Sequence, residues 1–161
     1  MKKLFLISVF FLVTYQTFAQ RVDLPNVTIK NLENKNINFL SFKNEPLLII
    51  SFWATWCSNC IYELDEINDE YANWQQETNV KLIAISIDDY RAISRVKPFL
   101  KSHQWPYLIL LDTNQELKRA YNINAIPYTL ILKNGVVVYQ KSGYYPTNLS
   151  DIYATLQKYL N

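Results

Sequence analysis

Seven consecutive residues with a single polar member, Leu47-Leu48-Ile49-Ile50-Ser51-Phe52-Trp53, follow Pro46 and lead within three residues to Cys57-Ser58-Asn59-Cys60. So continuous an apolar run suits a strand buried on both faces, the centre of a sheet covered by helices, and excludes a simple half-solvated sheet at this point. From Ile61 onward the period changes. Ile61, Leu64, Ile67 or Asn68, Tyr71 and Trp74 recur at helical spacing, with Glu63, Asp65, Glu66, Asp69 and Glu70 between them. The two cysteines therefore stand where a buried strand meets a helix. They are the whole cysteine content of 161 residues, too few for a disulfide scaffold, and one histidine is too few for most histidine-based metal sites.

Cys57 would occupy the N-terminus of that helix, where unpaired N–H groups and the helix dipole favour a thiolate and lower its pKa below about 8.5. Cys60, one turn later on the same face, is close enough to close a disulfide, giving an exposed nucleophile and a shielded resolving thiol. Three other uses of this spacing compete. Half of a zinc site needs two further ligands, which His103 alone does not supply. Haem attachment needs a histidine after Cys60, where Ile61 stands. An inert bridge is a third use, but closing so short a loop restrains the unfolded chain little. Redox chemistry is the reading that uses the strand-to-helix setting.

Two weak strand signals, Val27 to Ile29 and Ile37 to Leu40, flank the Asn-rich stretch 31–36 and predict a lead-in hairpin. A second apolar run, Val80 to Ile87, closes on Asp88-Asp89, and residues 91–103 read as a helix that Pro98 kinks or restarts. Tyr107 to Leu111 is a third central strand, Asn114 to Tyr121 a short helix, and Asn134-Gly135 joins Tyr128–Leu132 to Val136–Gln140 as a tight hairpin. Leu149, Ile152, Tyr153, Leu156, Tyr159 and Leu160 line one face of a terminal helix. The order βαβαβαββα makes the first three strands parallel through right-handed crossovers and the last pair antiparallel. The expected fold class is α/β, a central mixed β-sheet flanked by helices with an N-terminal β-hairpin extension.

Residues 1–19 have a basic start, a largely apolar stretch from Leu4 to Val13, and Thr17 and Ala19 in the −3 and −1 places of a cleavage site. They read as a signal peptide, with residues 22–161 as one domain. The alternative, an uncleaved anchor, falls short of the roughly 20 apolar residues a bilayer crossing needs. The mature chain is then expected outside the cytoplasmic membrane, where disulfides persist. Lys and Arg total 16 against 14 for Asp and Glu, and Lys2 and Lys3 account for the surplus, so the body is neutral and carries no footprint for nucleic acid.

Phe52-Trp53-Ala54-Thr55-Trp56-Cys57-Ser58-Asn59-Cys60, with Ile126-Pro127 downstream, resembles the extracytoplasmic TlpA/ResA-type thioredoxin-like proteins over roughly Leu24 to Leu160. The resemblance implies a thioredoxin-like fold, Cys57 as nucleophile and Cys60 as resolving cysteine. It implies that Pro127 follows a cis bond and packs opposite the disulfide, leaving the Ile126 backbone to pair with an extended substrate segment. Glu63 matches an acidic position near the active site of this group, as a proton acceptor for Cys60; a solvated carboxyl on the helix face is the other reading. Trp53 and Trp56 flank the site, Trp53 as core and Trp56 as contact surface. Two departures matter. Ser51 stands where thioredoxin itself commonly has a buried Asp, and Asn59 replaces the usual proline between the cysteines.

His103 reads as a surface helix cap, Asp88 and Asp89 as a solvated turn or helix cap more than a metal site, and Tyr139, Tyr144 and Tyr145 as sheet packing more than a partner surface. The expected activity is extracytoplasmic thiol:disulfide exchange, reducing disulfide-containing exported proteins, apocytochromes c by analogy, with a membrane thiol relay as electron donor. It calls for no metal and no further cofactor. A disulfide oxidase or isomerase, a peroxiredoxin-like enzyme, and a binding module with a merely structural disulfide are the alternatives.

Overall fold

The computed structural model describes residues 24–160; the leader, with its cleavage point, lies outside the described residues. Seven strands form one mixed sheet: β1 (Thr28–Asn31), β2 (Asn36–Asn38), β3 (Leu47–Trp53), β4 (Lys81–Ser86), β5 (Leu108–Leu111), β6 (Tyr128–Lys133) and β7 (Val136–Ser142), in the spatial order β2-β1-β5-β4-β3-β6-β7. Helices α1 (Ser58–Thr78), α2 (Val96–His103), α3 (Glu116–Ala120) and α4 (Asn148–Lys158) complete it. The α/β expectation holds, hairpin extension included: β1 pairs with β2 and lies antiparallel against β5.

Every residue of β3 is buried, because the strand has β4 parallel on one side and β6 antiparallel on the other. The crossovers through α1 and α2 carry the chain in one direction, β3 to β4 to β5, so handedness places both on one face. Side chains agree. Trp53 on β3 packs against Phe99 of α2 at 5.3 Å and against Trp105 at 4.9 Å between ring centroids, while Asp65 of α1 accepts from Trp105 Nε1. Phe52, one residue earlier and so on the opposite face, meets Tyr121 just after α3, which also meets Phe39. The core is thus two aromatic-rich layers with β3 between them.

Local chemistry sets the element ends. The second strand stops at Asn38, earlier than the apolar pattern indicates, because the Asn38 side chain accepts from Leu40 N and turns 39–44 into a 3-10 helix. Asp89 Oδ1 accepts from the amides of Arg91 and Ala92 and delays the next helix. A 3-10 turn covers Ile93–Arg95, and Pro98 then falls in the first turn of α2, where its missing N–H has no intrahelical use. Asn134 and Gly135 take positive φ, 49° and 79°, as the β6–β7 hairpin requires. On α4, Ile152 and Leu156 are buried as expected, but Tyr153 is exposed, as is Leu160 beyond the end of the helix. The Tyr153 ring stacks on Trp74 of α1 instead, and its hydroxyl donates to Glu77.

α1 is fastened to the sheet by a polar contact as well as by its apolar stripe. Leu82 N, at the start of β4 before the pairing with β5 begins, donates to Tyr71 Oη at 2.9 Å. Tyr71→Phe keeps the ring and strands a buried amide, so it is expected to lower unfolding free energy by about 1–3 kcal/mol, read from urea midpoints. An unchanged midpoint would show that water or a shifted strand satisfies that amide.

Candidate active site

β3 delivers the chain to Ala54-Thr55-Trp56, and Cys57 caps α1. Its amide donates to Ala54 O at 3.0 Å, its carbonyl accepts from Cys60 N and Ile61 N at 3.1 Å each, and its Sγ accepts from Cys60 N at 3.3 Å. Cys57 and Cys60 are joined as a disulfide with their Cα atoms 5.3 Å apart. The first turn of α1 holds no acidic side chain, so no carboxyl competes with sulfur for the amides of the helix start. Cys60 is fully enclosed, and Cys57 is 8% exposed, a sulfur that is less open than the exposed nucleophile expected from the sequence. Openness belongs to its neighbour: Trp56 is 61% exposed, while Trp53 is core.

The peptide bond between Ile126 and Pro127 is cis. β6 begins at Tyr128, which pairs with Phe52, so the register sets Pro127 beside the end of β3 and the loop to Cys57. Gly143 N donates to Pro127 O at 2.8 Å on the other flank, and half-buried Ile126 precedes the ladder.

Glu63 is 2% exposed, which removes the solvated reading. It follows Cys60 by three residues on the inward face of α1, and its Oε1 accepts from Thr129 Oγ1 at 2.5 Å while Oε2 accepts from Asn148 Nδ2 at 2.6 Å. Asn148, the first residue of α4, also donates to Gly143 O at 3.0 Å. Thr129 is the direct cross-strand partner of Ser51. The carboxyl missing from β3 is therefore supplied by α1, reaching the sheet one register position from Ser51. Burial pushes the Glu63 carboxyl above its ordinary range and Glu66 adds to this, against the lowering by Thr129, Asn148 and Lys141.

Two further expectations change. Asp88 is fully buried and accepts from Thr55 and Ser86, so it is no solvated turn residue, whereas half-buried Asp89 caps the turn that follows, in line with the cap reading. His103 ends α2 but is half-buried, stacked on Phe99 at 4.1 Å and 3.0 Å from Asp65. Of the tyrosines, Tyr139 packs on the core with burial pushing its hydroxyl up to about 12, Tyr144 donates to Glu66, and Tyr145 is exposed beneath Lys141. Thr129 and Asn148 escaped sequence reasoning because they lie 66 and 85 residues from Glu63, with no spacing to mark them. Among the described residues no group of three or more His, Cys, Asp or Glu side chains could hold a metal ion.

Residues 21–140 match the AhpC/TSA family. A thioredoxin-like protein from Porphyromonas gingivalis, known from its solution structure, superposes with a TM-score of 0.76 at 39% identity, covering 85% of this chain and 91% of that one. A thiol-disulfide oxidoreductase, ResA, of Bacillus thuringiensis is 28% identical over 122 residues, 75% of this chain and 68% of the relative. StoA of Bacillus subtilis shares the fold, with a TM-score of 0.64 at 24% identity over 81% of this chain and 99% of that one.

The raised Glu63 pKa has a sign that can be measured. Unfolding lets the carboxyl ionise near its ordinary 4.5, whereas the folded site holds the proton to higher pH. Its contribution to stability is therefore full below that value and is lost as pH rises through the folded pKa. Glu63→Gln has no such loss. Its unfolding free energy relative to wild type is expected to climb as pH rises above the ordinary carboxylate value and to level off once the folded carboxyl has ionised. A difference that stays flat over that range would contradict the shift.

Proposed function

The chain belongs to the AhpC/TSA family, and from that premise we propose that it is a thiol:disulfide oxidoreductase that reduces disulfides of exported proteins. The observation that carries the reading is the Cys57–Cys60 disulfide capping α1 with a buried carboxyl one turn behind it. In the dithiol form the Cys57 thiolate attacks one sulfur of a substrate disulfide. A mixed disulfide forms and the other substrate sulfur leaves as a thiolate. Cys60 then attacks Cys57 Sγ, breaking the mixed bond, and the substrate departs as a dithiol while the enzyme keeps the two-cysteine disulfide. Glu63 accepts the Cys60 proton for that second step, since its face of α1 is shared with Cys60 and its partners Thr129 and Asn148 hold it in place.

Trp56, Ile126 and Pro127 form the contact surface. The indole stands open beside Cys57, and the Ile126 backbone ahead of β6 suits pairing with an extended substrate strand. An external dithiol returns the enzyme to its working state, and a membrane thiol relay suits that role for a chain exported by the leader at residues 1–19. Apocytochrome c cysteines before haem attachment are one substrate class of fitting chemistry. The relatives named thiol-disulfide oxidoreductase support thiol–disulfide exchange as the chemistry of this reading.

Cys60→Ser is expected to accumulate covalent adducts with exported proteins through Cys57, and Cys57→Ser to accumulate none, by thiol trapping and mass spectrometry. Absence of adducts from both folded variants would favour a binding module with a structural bridge. Glu63→Gln is expected to slow resolution of the mixed disulfide by roughly 100-fold, with the pH dependence of that step lost. Equilibration with glutathione tests direction: a pair more oxidising than the glutathione pool would make the protein an oxidase or isomerase.

A further inference from the structure

Asp88 is 0% exposed, and among the described residues no Lys, Arg or His pairs with it. Its Oδ2 accepts from Thr55 N at 2.9 Å and Ser86 Oγ at 2.8 Å, its Oδ1 accepts from Thr55 Oγ1 at 2.7 Å, and its own amide donates to Ser86 Oγ at 3.1 Å. A carboxyl enclosed without a cation is costly to keep in a core, so its partners deserve a functional reading. All three donors come from two places: the end of β4 and the loop that carries Cys57. Thr55 gives both its backbone N–H and its hydroxyl, and it stands two residues before Cys57. The turn from Cys57 N to Ala54 O is internal to the segment and does not tie it to the sheet.

The disulfide ties Cys57 to Cys60 and hence to the body of α1. Reduction removes that tie, whereas the bonds to Asp88 involve neither sulfur. We propose that Asp88 is a positioning residue for Cys57: by clasping Thr55 it keeps the catalytic loop in one pose after reduction and so biases the cysteine pair toward the dithiol. The clasp matters more to the form that lacks the covalent tie, and that difference is what shifts the equilibrium. The inference rests on the redox reading of the two cysteines, and the experiment separates the two.

The test compares wild type, Thr55→Val, Thr55→Ser and Asp88→Asn by equilibration with glutathione buffers. Thr55→Val loses the hydroxyl donor, Asp88→Asn leaves one oxygen for three donors, and Thr55→Ser keeps every donor. The first two are expected to move the equilibrium toward the disulfide by about threefold or more, and Thr55→Ser to match wild type. Equal constants for all four, or a shift in Thr55→Ser as large as in Thr55→Val, would overturn the proposal. Should the altered chains fail to fold, amide hydrogen exchange of Thr55 in wild type decides. Protection in both redox forms supports the clasp, and its loss on reduction refutes it. Wild type that never equilibrates with glutathione would sink the redox reading, while hydrogen exchange after chemical reduction would still judge the clasp.

Discussion

A sulfur capping the N-terminus of a helix is the constraint from which the rest of this molecule follows. The amides that open α1 have no partners within the helix, and Cys57 lies where negative charge on sulfur meets them. That arrangement needs a rigid base, since the amides must point at one place. β3 provides it, fully buried and hydrogen-bonded on both sides, with six parallel register pairs to β4 and six antiparallel pairs to β6. The same two neighbours bring side chains around the disulfide loop and Glu63: β6 carries Thr129 and is entered through Pro127, and Asp88 follows the end of β4.

Charge is distributed around the disulfide with a consistent logic. Acidic side chains are absent from the first turn of α1 and appear from the second turn on, beginning with the one carboxyl that is turned inward. Placed there, Glu63 is far enough along the helix to leave the amides to Cys57 and close enough to share a face with Cys60. Burial keeps it protonated to higher pH than a surface carboxyl. The two cysteines thus sit between different electrostatic environments, the open amides of the helix start and a buried carboxyl.

Much of this was legible in the residues. The apolar run at Leu47–Trp53, the helical period after Ile61 and the Asn134-Gly135 turn are local signals, and the structure places the corresponding elements within a few residues of where the patterns end. What resisted reading was decided by partners distant in sequence. Whether Glu63 faces water or the interior depends on Thr129 and Asn148, which arrive from β6 and α4. Asp88 resembles any strand-ending acid until Thr55 is folded against it from 33 residues away. Tyr153 follows the apolar period of α4 but spends its ring on Trp74, because α1 passes beside that face. Periodicity records which side a residue is on and is silent about polar groups that meet across elements.

The unequal enclosure of the two sulfurs carries a kinetic consequence. Displacement at sulfur needs approach along the axis of the bond being broken, and with Cys60 sealed the incoming thiolate can reach the bridge from the side of Cys57 alone. In the proposed exchange, oxidised target and recharging donor must therefore land at the same spot, beside the same indole, and neither can be present while the other is engaged. Such a catalyst serves its two customers strictly in alternation, and its double-reciprocal plots should run parallel.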